Sequence, residues 1–162
     1  MNSGSSSLEG GDAHNCSAPA VAAYELIGGE AGIYAFVSRL YEVMAEKPEA
    51  RTIWKWHPED MEGVKARLVA FMSGWLGGPN LYPQYYGPPM MRRRHMAFTI
   101  GPKERDIWLD CARQALDETV ADAALRELLG EALSAMAEHM RNRGEDGRPE
   151  GSGCCGGGTC GH

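Results

Sequence analysis

Arg92-Arg93-Arg94-His95-Met96-Ala97-Phe98-Thr99-Ile100-Gly101-Pro102, followed at once by Glu104-Arg105-Asp106-Ile107-Trp108-Leu109-Asp110-Cys111, is the stretch on which the fold turns. Gly101-Pro102 opens a helix, with proline near the first helical position, where its missing N–H costs nothing. Beyond it Ile107, Trp108, Cys111, Ala112, Ala115 and Leu116 repeat at helical spacing. Upstream, Ile33, Phe36, Val37, Leu40, Tyr41 and Met44 make a stripe that predicts a helix from Glu30 to Lys47, stopped by Pro48. Val64, Leu68, Phe71, Met72 and Trp75 make another, ended by Gly77-Gly78-Pro79. Downstream, Leu125, Leu128, Leu129, Ala132, Met136 and Met140 make the last. No alternating segment of strand length intervenes, so the fold class is all-α.

Between the second and third stripes, residues 80–94 read as a long linker holding Tyr82, Tyr85, Tyr86, Gly87, Pro88 and Pro89. Linkers of that length inside a compact domain are often functional. The two ends differ in composition from this core. Residues 1–22 are rich in Gly, Ser and other small residues and predict a flexible extension. Residues 143–162 are too dense in glycine for a helix and predict a flexible Gly/Cys-rich tail. One domain, residues 23–142, remains.

The net charge of -6 argues against general nucleic-acid binding, which requires a basic face. No apolar run reaches the length of a membrane span. No basic start followed by an apolar stretch announces secretion. The odd count of 5 cysteines is no disulfide framework. A reducing cytoplasm is the expected location. Cys111, on an apolar helix face, reads as a buried structural thiol.

Glycine-rich phosphate loops, nucleophile elbows and paired Glu-x-x-His motifs are all missing from the sequence. Of the histidines, His14 and His139 read as solvated. His95 stands between a run of cations and an apolar segment. That suits a haem ligand, since haem wants an axial imidazole, an apolar slot and basic groups for its propionates. By residue type alone, a partly buried ordinary histidine is the default alternative.

The block Arg94-His95-Met96-Ala97-Phe98-Thr99-Ile100-Gly101 with Glu104-Arg105-Asp106-Ile107-Trp108-Leu109-Asp110-Cys111 resembles the group II truncated haemoglobins. Gly28-Gly29, Leu40-Tyr41, His57-Pro58-Glu59-Asp60 and Phe71 through Trp75-Leu76-Gly77-Gly78-Pro79 to Leu81-Tyr82 extend the resemblance over the core. It implies a shortened globin, two helices over two, enclosing haem b. It implies His95 as the proximal iron ligand and Tyr41, Trp108 and His57 as distal groups around the bound gas. It also implies Arg94, Arg67 and Tyr82 at the propionates, and Leu68, Phe71, Trp75 and Phe98 as pocket wall. Tyr41 and Trp108 as plain packing residues, and His57 and Arg67 as plain surface residues, are the alternatives.

Many globins set a histidine over the ligand from the distal helix; the aligned position here is Val64, which cannot donate a hydrogen bond. Dioxygen, which takes on negative charge when bound, must then be held by Tyr41, Trp108 and His57. Charge-assisted donors are worth about 1.5–3 kcal/mol each, so two or three predict slow release. The expected ligands are O2, NO and CO. The leading functional expectation is nitric oxide dioxygenation to nitrate, or related haem redox chemistry including peroxide. Either needs an external electron donor, because no flavin or nicotinamide motif is present. The alternative is a non-catalytic oxygen, nitric oxide or sulfide scavenger or sensor. A homodimer is left open.

The sequence departs from the family pattern at three places. Tyr86-Gly87-Pro88-Pro89 stands where relatives read Arg-Gly-His-Pro, and Cys111-Ala112 where they read Cys-Met. The third is the tail, where Cys154, Cys155, Cys160 and His162 gather soft donors suited to zinc or copper(I). Adjacent cysteines are not the usual zinc spacing, so a disulfide or an unstructured tail stands beside a metal site.

Overall fold

The computed structural model describes residues 23–149. A helical turn at residues 23–26 leads into α1 (Gly29–Glu46), a 3-10 turn (Pro48–Ala50), α2 (Arg51–Trp54) and α3 (Met61–Trp75). Then come α4 (Leu81–Tyr86), α5 (Met91–His95), α6 (Pro102–Thr119) and α7 (Ala123–Met140). The described residues hold no strand beyond one isolated bridge between Arg143 and Pro149. None of the described helices is long and apolar enough to cross a membrane.

Each long helix has a local cause for its ends. α1 stops at Lys47, which is extended because Pro48 follows it. Asp60 caps α3 by accepting the Gly63 N–H at 3.1 Å. Gly77, at φ +87°, turns the chain out of α3. Gly78 must lack a side chain, because a Cβ there would sit 2.3 Å from the Tyr24 ring. Glu104 accepts the Gly101 N–H at 3.0 Å and closes the start of α6, and Asp122 caps α7 through the Leu125 N–H at 2.7 Å.

The apolar stripes decide the packing. α1 lies against both α3 and α6, and α6 lies against α7, so the α1/α3 pair sits over the α6/α7 pair. Ile33, Phe36, Leu40 and Met44 of α1 are fully buried, with Met72, Cys111, Leu129 and Leu133 from the other three. Each such large side chain contributes about 1.5–3 kcal/mol. The ion pairs from Arg39 to Glu42, Glu46 and Glu118 also join α1 to α6, but their carboxylates are exposed and each is worth about 0–1 kcal/mol. Burial, not charge, sets this arrangement.

Residues 80–94, expected as a linker, carry α4 and α5. Helices this short are too brief to show a periodic stripe and are unstable alone. Tertiary contacts hold them. Tyr82 of α4 is buried, and Arg92 of α5 donates to the carbonyls of His139 at 2.6 Å and Arg141 at 3.0 Å. After α7 the chain passes back under α5. Residues 143–149, expected as the start of a flexible tail, form a turn closed by the Gly144 N–H to Arg148 carbonyl bond at 2.9 Å.

Candidate functional site

Several side chains pack on the core without being fully covered, many of them on α3, α6 and residues 54–56. They include Trp56, Val64, Leu68, Phe71, Trp75, Ile107 and Trp108. Phe98 joins them by stacking on Trp56, with ring centroids 5.2 Å apart. Phe71 stacks on Trp75 and meets the edge of Tyr82. These half-covered apolar and aromatic side chains have the composition of a ligand cleft.

His95 is the last residue of α5 and is half-buried. Its Nδ1 lies 2.7 Å from the carbonyl oxygen of Met91, one turn back. A carbonyl only accepts, so Nδ1 carries the proton and Nε2 is left with a free lone pair. That is the form an imidazole takes as a metal ligand, with the other nitrogen fixed by a backbone carbonyl. The chain reaches α5 through Met90, a non-glycine residue at φ +41°. That conformation is uncommon for a side-chain-bearing residue and costs energy, which the contacts of Arg92 and Asn142 offset.

Asn142 is 2% exposed. Its amide donates to the carbonyls of His95 at 3.2 Å and Phe98 at 2.8 Å, and its oxygen accepts the Ile100 N–H at 3.0 Å. It therefore staples the segment 95–100 to the end of α7. Sequence reasoning passed over it as the last residue of the domain. An asparagine just after a helix gives no signal of which backbone it will satisfy.

Tyr41, Trp108 and His57 are the polar groups of the expected distal side. Tyr41 is buried on α1, and its hydroxyl has no hydrogen-bond partner among the described residues. Burial pushes that phenol up to about 12, so it keeps its proton. Trp108 on α6 is half-buried, and its indole N–H likewise has no partner among the described residues. His57 meets the Tyr41 ring edge-on at 5.2 Å. Its Nδ1 lies 3.0 Å from the Ile53 carbonyl and 3.3 Å from that of Trp54, so Nδ1 is again the donor. Burial lowers the His57 pKa from its ordinary value. His57 is thus a neutral imidazole whose Nε2 accepts rather than donates. Both donors, on Tyr41 and Trp108, belong to side chains packed on the core yet hold no partner among the described residues, so each is available to a bound ligand.

The chain matches the bacterial-like globin family model over residues 22–142. The chain belongs to the bacterial-like globins, in their group II truncated haemoglobin branch. It is 36% identical over 124 residues to the group 2 truncated hemoglobin YjbI of Bacillus subtilis (strain 168), covering 76% of this chain and 91% of that one. The group II 2-on-2 hemoglobin of Agrobacterium tumefaciens is similar at 45% identity and a TM-score of 0.70, over 76% of this chain and 95% of that one. The cold-adapted truncated hemoglobin of Pseudoalteromonas haloplanktis TAC125 gives 40% identity and a TM-score of 0.72, over 75% and 98%. The four long helices of this globin are the two-over-two arrangement.

Haem b is the cofactor of the family, and haem-based gas binding is its function. The residues of this globin fit that group. His95 presents a bare Nε2, the wall is apolar and aromatic, and Tyr41 and Trp108 offer unpartnered donors.

The basic residues are placed differently from a simple propionate clamp. Arg94 donates to the Pro89 carbonyl at 3.0 Å and lies over the Tyr82 ring at 5.9 Å. Arg67 is exposed on α3 and lies over the Tyr86 ring at 5.5 Å. Both guanidiniums therefore flank one tyrosine pair, with Tyr82 and Tyr86 centroids 5.1 Å apart. Val64 is half-buried on α3 and packs against the core. Cys111 is a buried free thiol that burial pushes up, which makes it a poor nucleophile. Cys154, Cys155, Cys160 and His162 lie outside the described residues, as does His14; among the described residues no cluster suits a metal ion.

Proposed function

We propose that His95 holds the haem iron through Nε2 and that Tyr41 and Trp108 hold a diatomic ligand on the opposite side. The observation that carries this reading is His95, with Nδ1 tied to the Met91 carbonyl, together with two donors, on Tyr41 and Trp108, that have no partner among the described residues. Haem supplies an iron that binds dioxygen, nitric oxide or carbon monoxide. Leu68, Phe71, Trp75 and Phe98 exclude water from it. Tyr82, Arg94 and Arg67 form its polar edge, where small rotations of the guanidiniums off the tyrosine rings serve the propionates. The phenol and indole donate to the ligand atom that carries negative charge, each contributing about 1.5–3 kcal/mol. His57 orders the Tyr41 ring and accepts a proton-bearing group.

Two donors of that strength favour retention over exchange, which fits consumption of the bound gas better than its carriage. The function proposed is nitric oxide dioxygenation to nitrate in the cytoplasm, with an external reductant renewing the ferrous state. Rapid mixing of the oxygenated protein with nitric oxide tests it. Stoichiometric nitrate with immediate conversion to the ferric spectrum supports the proposal. Slow reaction limited by oxygen release contradicts it and favours the scavenger or sensor reading.

A further inference from the structure

The cleft wall continues outward as an unbroken run of rings. Trp75 stacks on Phe71 at 6.5 Å, Phe71 meets Tyr82 at 6.3 Å, Tyr82 meets Tyr86 at 5.1 Å, and Tyr86 meets Tyr85 at 6.2 Å. Exposure rises along the run, from Tyr82 at 4% to Tyr85 at 71%. Tyr86 opens the Tyr86-Gly87-Pro88-Pro89 segment where the sequence departs from the family pattern, and Tyr85 immediately precedes it. Neither packing nor haem enclosure calls for a tyrosine as exposed as Tyr85 at the tip of α4.

We propose that Tyr82, Tyr86 and Tyr85 form a one-electron path between the haem cleft and the surface, ending at Tyr85, where an aromatic reductant delivers its electron. This rests on the haem reading above. Electrons pass readily between rings in contact, and tyrosine is oxidisable once its phenolic proton can leave. The cations set the direction. Arg94 lies over Tyr82 and Arg67 over Tyr86, which disfavours a positive hole on either ring. Tyr85 has no such cation among the described residues and is open to water, which takes its proton. The hole comes to rest there.

With hydrogen peroxide as oxidant the step balances. The O–O bond breaks, and two tyrosine hydroxyls each give up one electron and one proton. The products are two waters and two tyrosyl radicals. A phenol or aromatic amine then returns one electron and one proton to each radical. A groove of about 390 Å³ lined by Tyr34, Tyr85, Tyr86 and Leu81, with Glu30 and Glu62 at its edge, offers such a donor an aromatic, acid-flanked seat.

The test uses the full-length haem-loaded protein, treated with peroxide and a nitroso spin trap, with adducts located by peptide mass spectrometry. The optical spectrum is recorded first, so failure to bind haem is seen separately and counts against the haem reading alone. The path predicts the main adduct on Tyr85 and little on Tyr34, which is 46% exposed but has no ring contact. Tyr86→Phe keeps Tyr85 exposed and should lower its adduct several-fold. Tyr85→Phe should move the adduct inward to Tyr86. Equal labelling of Tyr34 and Tyr85, adducts confined to Tyr41, Trp108 or thiols, or Tyr85 labelling unchanged in Tyr86→Phe would overturn the proposal.

Discussion

His95 Nδ1 sits 2.7 Å from the carbonyl oxygen of Met91, and this single contact decides which nitrogen the cleft receives. The bond spans one turn of a helix only five residues long, α5. Such a helix has no stability of its own. Its position comes from Arg92, which binds the carbonyls at the end of α7, and from Asn142, which binds the carbonyls around His95. The proximal side is therefore as firm as the last residues of the chain's helical core.

Asn142→Ala removes three hydrogen bonds; the buried Ile100 N–H and the Phe98 carbonyl lose this partner, while the His95 carbonyl keeps the Phe98 N–H. The expected destabilisation is about 2–4 kcal/mol. Haem should also leave faster, because the helix bearing its ligand loosens. Denaturant unfolding and haem transfer to apomyoglobin measure the two effects.

Trp108→Phe deletes an N–H that has no partner among the described residues and keeps the ring's bulk. Oxygen dissociation should speed up about ten- to a hundredfold, the equivalent of about 1.5–3 kcal/mol. Tyr41→Phe should act in the same direction, and the double variant should approach the sum of the two. Stopped-flow displacement of oxygen by carbon monoxide reads each rate.

The phenol of Tyr41 is pushed from 10.0 up to about 12 by burial. Above pH 10 the unfolded chain loses this proton while the folded chain retains it. Stability therefore falls as pH rises from about 10 to 12, by about 2–3 kcal/mol over that window. Tyr41→Phe should lose this part of the alkaline decline, seen as a flatter unfolding profile against pH.

His57 has the opposite window. Burial lowers its pKa from the ordinary value of 6.5. As pH falls through 6.5 the unfolded chain takes a proton that the folded chain refuses, so stability declines toward acid pH. His57→Phe should weaken that acid sensitivity while leaving neutral-pH stability little changed. The same thermal unfolding series, run below pH 7, checks it.

Long stripes were legible in the sequence, and they account for α1, α3, α6 and α7; α1, expected from Glu30 to Lys47, runs Gly29–Glu46. Pro48 and Gly101-Pro102 were reliable because they act locally, through ring geometry and a missing N–H. α4 and α5 were not legible, since neither is long enough for a repeat and both depend on Arg92, Tyr82 and Asn142 reaching distant backbone. At the site, His95, Tyr41, Trp108 and His57 were picked out by family resemblance, and the structure sets His57 edge-on to the Tyr41 ring. Their proton states were invisible until the carbonyls of Met91, Ile53 and Trp54 were in place. The arginines illustrate the same limit. Their charge suggested a propionate clamp, but only coordinates could reveal the tyrosine rings beneath Arg67 and Arg94.

The most direct test of the central claim is the optical spectrum of the purified protein, ferric, ferrous and with carbon monoxide, beside His95→Ala with and without added imidazole. A Soret band that shifts with carbon monoxide, its loss or displacement in His95→Ala and its return with imidazole are the predicted results. A wild-type spectrum without haem, or one that His95→Ala leaves unchanged, would contradict the account.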